Sequence, residues 1–286
     1  MVETTISGIG ESPPSRQSGM TAQHLALSAI SKSLADAGLE ASEIDAVVTE
    51  SQLCSHNAPL DVMQRAAGLV NVHIAMQSSP VGAGILAALA FATELVASGR
   101  SKHALTYFAI DWGSFPAGPS VFHAEMAEKD VLEKPTGFLG PALYFATIAK
   151  RYQNVYGLTD NLTQELLADV VLAARANAAE HPEAQQRKAL DMAGYCSSPM
   201  IAEPLHAADC SLLSDGAGAI IVSRRDACRS DIPGVAIAGW GYDSEPITFA
   251  EFYTQSPWLP ELPATSRASV FCRAYDAKRY RFIPAL

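Results

Sequence analysis

The N-terminal part of the chain alternates between short apolar runs and longer segments in which apolar residues have helical spacing. The apolar runs predict strands at Thr4–Ile9, Ala46–Thr49, Val70–Met76 and Ala104–Ile110. The helical spacing predicts helices at Thr21–Ala37, Leu60–Leu69 and Gly82–Ser98. Strands that alternate with helices are typical of an α/β fold, with a mostly parallel sheet and helices on both of its faces.

Local signals mark the ends of the first two elements. Gly8 and Gly10 are expected to form a turn that ends the first strand. Thr21 is expected to be the N-cap of the first helix, and Gly38 to end that helix in a left-handed conformation.

The pattern changes after the fourth predicted strand. A loop-rich stretch, Phe115–Gly140, is followed by predicted helices at Ala142–Tyr156 and Thr163–Glu180. We interpret this region as an insertion or lid rather than as part of the sheet. Strand-like residues return at Ala217–Ser223 and Val235–Trp240.

A predicted turn, Ser214-Asp215-Gly216, precedes the first of these later strands. Asp215 is expected to accept backbone N–H groups there, and Gly216 to permit a positive φ or a close approach. In the alternative interpretation, Asp215 contacts a substrate.

Composition narrows the function classes. The 286 residues are 49% hydrophobic and 17% charged, with a formal net charge of −10. These values exclude a disordered chain or a charged coiled coil, and they disfavour nucleic acid or an anionic membrane as a partner. The five cysteines form no C-x-x-C pair, which suits a reducing, cytoplasmic location. Neither a signal peptide nor a membrane span is predicted.

The most informative candidate site is the start of the apolar helix, Ser78-Ser79-Pro80-Val81-Gly82-Ala83-Gly84. A helix N-terminus stabilises an anion, an oxyanion or an activated nucleophile, and glycines admit a substrate closely. The glycines could instead serve only tight helix packing. A third interpretation is a dinucleotide fingerprint, Gly82-x-Gly84-x-x-Ala87, with Asp111 as its ribose-binding acid. However, Gly82 is too far from the preceding strand for that fingerprint.

Two other groups of residues carry weaker signals. Cys196, His206 and Cys210 are close in sequence, but their spacing matches no common metal site, so we expect at most one buried polar cluster. Tyr144, Tyr152 and Tyr156 share one face of a predicted helix, which favours packing in a core or an interface.

Several segments together resemble the thiolase superfamily, in particular its sterol-carrier-protein-X or lipid-transfer-protein branch, whose members include acetyl-CoA acetyltransferase-like proteins. The opening Gly8-Ile9-Gly10-Glu11 resembles that branch's first strand and turn. The run YCSSPMIAEPLHAADCSLLSDGAGAIIVS at Tyr195–Ser223 is similar to its S-P-M-I-A-x-P-L, D-C and S-D-G-A-x-A motifs. Asn177–Pro182 resembles the preceding N-A-x-x-N-P, with His181 in place of asparagine.

The resemblance implies a layered α/β/α/β/α fold of two similar halves, a homodimer and acyl-CoA chemistry. Counting back from Gly99 places Gly82 at the position of the acylated cysteine of true thiolases, so no acyl-enzyme is expected. The resemblance implies substrate-binding roles for Ser79, Ala83, Gly84 and Met200. A coenzyme A thioester is then the substrate, and no other cofactor or metal is expected.

Relatives with glycine at this position include aldolases that cleave a side-chain β-hydroxyacyl-CoA in complex with a small OB-fold partner. Their acid and base groups are tyrosines, expected in the C-terminal half. The implied function is therefore an acyltransferase or C–C-bond-cleaving protein of lipid or sterol side-chain metabolism. The alternatives are a non-catalytic subunit that binds an acyl chain or a partner, and the dinucleotide-binding enzyme.

The resemblance also implies domain limits. Residues 1–115 and 205–229 would form the N-terminal half, residues 116–204 an inserted loop and helical region, and residues 230–286 a remnant of the C-terminal half. The family's later motifs are missing from the last residues. A truncation or shifted reading frame near Ala274 is expected, or else a naturally short variant.

Overall fold

A computed structural model describes residues 3–50, 58–78, 84–114, 141–229 and 234–240, together with Val131, Pro135 and Gly137. Its strands are β1 (Thr4–Ser15), β2 (Ala46–Glu50), β3 (Ile74–Ser78), β4 (His103–Asp111), β5 (Met200–Ala202), β6 (Leu205–His206), β7 (Asp215–Arg224) and β8 (Val235–Ala236). Its α-helices are α1 (Ala22–Ala37), α2 (Leu60–Ala66), α3 (Gly84–Ala97), α4 (Pro141–Tyr156), α5 (Asp160–Glu180) and α6 (Met192–Cys196).

Six strands form one mixed sheet in the order β3-β2-β4-β7-β1-β8, while β5 and β6 form a separate hairpin. Strand β2 pairs in parallel with both β3 and β4. The pairs β4–β7, β7–β1 and β1–β8 are antiparallel. The prediction of a mostly parallel sheet is therefore wrong. Strand β7 follows helices α4, α5 and α6 in sequence and lies between β4 and β1 in the sheet, and its own residues carry no signal for its direction.

Helices cover both faces of this sheet, as predicted. We call the side that packs against α1 and α2 the α1 face, and the side that packs against α3 the α3 face. Strand side chains on the α1 face include Val47, Leu105 and Ile221. Those on the α3 face include Val48, Ala104 and Val222. Because side chains alternate along a strand, each central strand is buried on both sides.

The caps predicted for α1 are confirmed. The Thr21 side chain accepts a hydrogen bond from the His24 N–H, and Gly38 has φ 63° just after the helix ends. These signals lie within one helical turn of the boundary that they set, which is why the sequence reveals them.

The turn predicted at Gly8 and Gly10 is wrong, because both residues lie inside β1. A Cβ atom at Gly8 would lie 2.3 Å from the Ser33 carbonyl oxygen, and one at Gly10 would lie 2.1 Å from the Ala29 carbonyl oxygen. The glycines therefore let α1 lie directly on the backbone of β1.

Other boundaries shift by a few residues. Helix α5 begins at Asp160, before the predicted Thr163, because Thr159 caps it by accepting the Leu162 N–H. Strand β3 begins at Ile74 rather than Val70. The predicted loop Phe115–Gly140 lies almost entirely outside the described residues. In the described part of the chain, no helix is both long and apolar enough to cross a membrane.

Candidate functional site

The parallel strands β3, β2 and β4 run toward one edge of the sheet, where β2 and β3 end at the same level and β4 continues further. Their last residues are Glu50 in β2, Ser78 in β3 and Asp111 in β4. Helix α3 starts just beyond Ser78, whose hydroxyl donates a hydrogen bond of 2.6 Å to the carbonyl oxygen of Gly84. Ligand sites in open α/β sheets form beyond the carboxyl ends of the strands, so this edge is the candidate site.

The structure describes only some of the site residues predicted from the sequence. Gly84 is buried at the first turn of α3. Ser79, Gly82 and Ala83 lie outside the described residues, so their roles stay predictions. Met200 is 47% exposed in β5, which packs against α4, whereas α3 packs against strands of the large sheet. Met200 and Gly84 therefore have separate surroundings.

Asp215 is a fully buried carboxylate that collects five hydrogen bonds near this edge. Its Oδ2 atom accepts from Ser18 N at 2.7 Å, from Ser18 Oγ at 2.8 Å and from Ser114 Oγ at 2.5 Å. Its Oδ1 atom accepts from Gly113 N at 2.8 Å and from Ser114 N at 2.9 Å. Burial raises the pKa of Asp215, but the hydrogen bonds from Ser114 and Ser18 outweigh it and lower the pKa below its ordinary value.

The predicted backbone-accepting role of Asp215 is thus confirmed, but the predicted turn is wrong. Asp215 and Gly216 are the first residues of β7, and Asp215 pairs with Asp111 across the ladder. Gly216 has no positive φ, and a Cβ atom there would meet only ordinary contact distances. The close approach occurs at Gly113 instead, where a Cβ atom would lie 1.8 Å from the Arg16 carbonyl oxygen.

Asp111 does not suit the ribose-binding role of the dinucleotide hypothesis. Its Oδ2 atom accepts a hydrogen bond of 2.9 Å from the N–H of Ala22, the first residue of α1. The carboxylate is therefore directed to the α1 face, whereas Gly84 is the first residue of α3 on the other face. Among the described residues of that fingerprint, Asp111 and Gly84 thus lie on opposite sides of the sheet.

A second buried polar cluster lies in the hairpin region. The Tyr195 hydroxyl lies 3.1 and 3.0 Å from the two carboxylate oxygens of Asp209, and Asp209 also accepts the His206 N–H at 2.6 Å. Burial, followed by the interaction with Asp209, raises the pKa of Tyr195. Asp209 thus links Tyr195 of α6 to His206 of β6 through buried hydrogen bonds, so the cluster stabilises the hairpin region.

The cluster is not a metal centre. His206 Nδ1 lies 2.6 Å from the Ser198 carbonyl oxygen and so carries the proton. Cys196 is exposed and Cys210 only half-buried. Within the described ranges, no group of three His, Cys, Asp or Glu side chains is arranged to hold a metal ion. Cys196, His206 and Cys210 therefore do not form a buried cluster together, since only His206 is buried and its cluster is with Tyr195 and Asp209.

Tyr152 and Tyr156 of α4 are not core residues. Tyr152 and Tyr156 are 44% and 54% exposed, and their ring centroids lie 4.6 Å apart. The side chain of Tyr144 lies outside the described residues. This exposure agrees with the predicted packing in an interface and not with packing in a core.

Comparison with known proteins identifies the fold. The chain is 28% identical to a steroid side-chain-cleaving aldolase of Thermomonospora curvata over 90% of the chain and 67% of the aldolase. It is 27% identical to a 17-hydroxy-3-oxo-4-pregnene-20-carboxyl-CoA lyase of Mycobacterium tuberculosis over 93% of the chain and 70% of the lyase. No family model matches the chain.

Solved structures agree with these relatives. An Ltp2–ChsH2(DUF35) aldolase superimposes with a TM-score of 0.76 and 28% identity, over 91% of this chain and 65% of the aldolase chain. A monomeric SCP2-thiolase-like protein of Mycobacterium smegmatis superimposes with a TM-score of 0.65 and 17% identity, over 86% of this chain and 52% of that protein. The chain belongs to the thiolase-like superfamily.

As a thiolase-like protein, the chain spans about two thirds of the length of the curated relatives that it matches. The resemblance to the thiolase superfamily noted in the sequence is thereby confirmed. Sequence reasoning nevertheless missed one residue of the candidate edge, since it ended the second strand at Thr49 and passed over Glu50. The available signal was an acidic residue directly after a buried apolar strand.

Proposed function

We propose that this protein acts on acyl-CoA thioesters and belongs to the branch of the superfamily that cleaves C–C bonds. The observation that carries the proposal is the match of nine tenths of the chain to an aldolase and a CoA-thioester lyase. The superposition on the aldolase at a TM-score of 0.76 supports the same assignment. The matching substrate class is the CoA thioesters of lipid or sterol side chains.

The reaction we propose is retro-aldol cleavage of a β-hydroxyacyl-CoA. A base removes the β-hydroxyl proton, and the Cα–Cβ bond breaks with its electrons moving into the thioester enolate. A proton then returns to Cα, so the products are a ketone or aldehyde and a shortened acyl-CoA. This chemistry needs general acid–base groups and no nucleophile, which is compatible with glycine at position 82. No cofactor beyond the thioester itself is required.

Assembly and location form part of the proposal. The superimposed aldolase is an Ltp2–ChsH2(DUF35) protein, and we propose a partner of the DUF35 kind, a small OB-fold protein, together with a homodimer. The exposed rings of Tyr152 and Tyr156 are suited to such contacts, since tyrosine is enriched at interfaces. The described cysteines, Cys196, Cys210 and Cys228, are free thiols, which suits the cytoplasm.

The test is a coupled assay for ketone or aldehyde release from β-hydroxyacyl-CoA thioesters with steroid or branched side chains. The protein is assayed alone and with a DUF35-type partner. Release of both products in equal amounts supports the proposal. A folded protein that binds the thioester but releases no product, with or without the partner, contradicts it.

The second candidate function is a non-catalytic subunit that binds an acyl chain or a partner protein. The observation in its favour is the exposed pair of rings of Tyr152 and Tyr156 on α4, since tyrosine is enriched at protein interfaces. Under this hypothesis the protein binds the thioester or the partner without product release, so the same assay separates the two functions.

A further inference from the structure

Helix α5 has an outer face that the described part of the chain leaves uncovered. The helix has 21 residues, yet only Thr163 and Ala168 of them are buried. Its inner face packs against α6 and against the segment Ala207–Asp209. A helix in a protein gains most of its stability by burying an apolar face. The residues on the outer face of α5 therefore show what that face is suited to contact.

The outer face carries a line of large apolar side chains. Leu162, Leu166 and Val170 are 42%, 46% and 70% exposed. They follow one another at intervals of four residues, so they lie along one side of the helix. We call these three residues the α5 stripe. Single exposed apolar residues are ordinary, but an apolar patch with a polar border is typical of an interaction surface.

Two carboxylates border this stripe. Glu165 and Asp169 are exposed, and each follows a member of the stripe by three residues. They are four residues apart, so their like charges repel each other along the helix. No described cationic side chain forms an ion pair with either carboxylate. Arg175, the one cation of α5, donates a hydrogen bond to the carbonyl oxygen of Lys188 instead. The repulsion is therefore not relieved within the described part of the chain.

The charge of this border decides what the stripe is suited to contact. A second copy of the chain would bring the same two carboxylates and its own net charge of −10, so two α5 stripes would repel each other. The same sign of charge disfavours anionic lipid and nucleic acid. The complementary occupant is a protein surface with an apolar centre and Lys or Arg side chains around it.

We propose that the α5 stripe, together with Glu165 and Asp169, is the docking surface for the DUF35-type partner. This inference rests on the partner included in the proposed function, and it adds where that partner binds and which charge its contact surface carries. Apolar side chains of the partner cover Leu162, Leu166 and Val170, and its Lys or Arg side chains pair with the two carboxylates. The apolar contact supplies most of the affinity, and the charges speed and orient the association.

The test titrates an isolated DUF35-type protein calorimetrically into the full chain and into Leu166→Ser and Val170→Ser. Both side chains are exposed, so the substitutions should leave the fold intact, while each should weaken binding about tenfold or more. Val70→Ser is the matched control, because Val70 is 78% exposed and lies in the connection between α2 and β3. The affinity of this control for the partner should stay within about twofold of that of the parent protein.

The charged border has a signature of its own. The double variant Glu165→Gln/Asp169→Asn should bind the partner about fivefold more weakly at low ionic strength. This difference should disappear at about 1 M salt, where the screening length is about 3 Å. Leu166→Ser should remain weaker at both salt concentrations, because salt does not screen an apolar contact. Glu11→Gln, at an exposed carboxylate of β1, controls for the loss of negative charge.

The product-release assay separates docking from catalysis. Leu166→Ser should need more partner to reach half of its maximal rate, yet its rate at saturating partner should equal that of the parent protein. If no thioester is cleaved although the parent protein binds the partner and Leu166→Ser does not, the docking surface stands and the proposed reaction fails.

Three other outcomes overturn the docking surface. In the first, the parent protein does not bind the DUF35-type protein, although product release by the chain alone would still support the proposed reaction. In the second, both serine variants bind the partner as tightly as the parent protein does. In the third, Leu166→Ser converts a dimer of the chain into a monomer in sedimentation while partner binding is kept, which would assign the α5 stripe to a second copy.

Discussion

Replacing Asp215 by asparagine should destabilise the fold strongly, because the carboxylate joins three segments that are distant in sequence. Asp215 is the first residue of β7, and it accepts hydrogen bonds from Ser18 in the segment between β1 and α1 and from Gly113 and Ser114 just after β4. Asparagine has nearly the same volume as aspartate, so the change removes the charge and one acceptor atom without creating a cavity.

The size of the loss in the free energy of unfolding follows from the hydrogen bonds that asparagine cannot accept. If its NH2 group takes the place of Oδ2, the Ser18 N–H faces another donor, although the two hydroxyls can rotate. If it takes the place of Oδ1, the N–H groups of Gly113 and Ser114 both lose their acceptor. One buried unsatisfied donor costs about 1–3 kcal/mol, and hydrogen bonds to a charged group are worth about 1.5–3 kcal/mol each. A loss of about 2–4 kcal/mol in the free energy of unfolding is expected.

Chemical denaturation followed by circular dichroism measures this loss, with Asp226→Asn as the control. Asp226 forms an exposed ion pair with Arg224, so its replacement should leave the free energy of unfolding nearly unchanged. Because the pKa of Asp215 is lowered in the folded state, the difference between Asp215→Asn and the parent protein should shrink as the pH falls below about 4. An Asp215→Asn protein that unfolds like its parent but no longer binds ligand would show that Asp215 contacts substrate instead.

Three further predictions follow from single sites. Gly113→Ala should unfold the edge near Asp215 or lower the melting temperature sharply, because its Cβ atom would overlap the Arg16 carbonyl oxygen. The matched control is Gly218→Ala, where a Cβ atom meets open space. Burial outweighs the attraction of Asp45 and lowers the pKa of His103. Stability should therefore fall as the pH drops below the ordinary histidine pKa of 6.5, because the unfolded chain then binds a proton that the folded protein does not. His103→Gln should remove that part of the pH dependence of the free energy of unfolding. No cysteine should form a stable thioester when the protein is incubated with an acyl-CoA, as intact-mass spectrometry would reveal.

The sequence predicted those features whose causes are local. The caps of α1 lie within a turn of the helix that they end, and the apolar spacing of α3 is a property of one segment. The direction of β7 depends on strands more than 100 residues away in sequence, so no nearby residue reveals it. The donors to Asp215 are likewise distant, and only the preference of aspartate for backbone N–H groups indicated its role.

The sequence predicted only part of the candidate edge, because strand ends are local signals and strand register is not. Apolar runs end where buried strands end, so the edge itself was evident at Ser78 and Gly84. Which face Glu50 occupies depends on the strand register relative to α1 and α3, and register is a property of the assembled sheet. A strand end placed one residue early was enough to leave Glu50 outside the predicted site.

Asp215→Asn should therefore separate stability from turnover. The substitution removes a charge that backbone and hydroxyl donors surround on the α1 face, so the free energy of unfolding should fall while turnover per folded molecule is kept. Denaturation curves and the product-release assay, applied to the same preparation, measure the two quantities together. If turnover per folded molecule falls while stability is unchanged, Asp215 acts on the substrate, and its hydrogen bonds to the backbone only position it for that role.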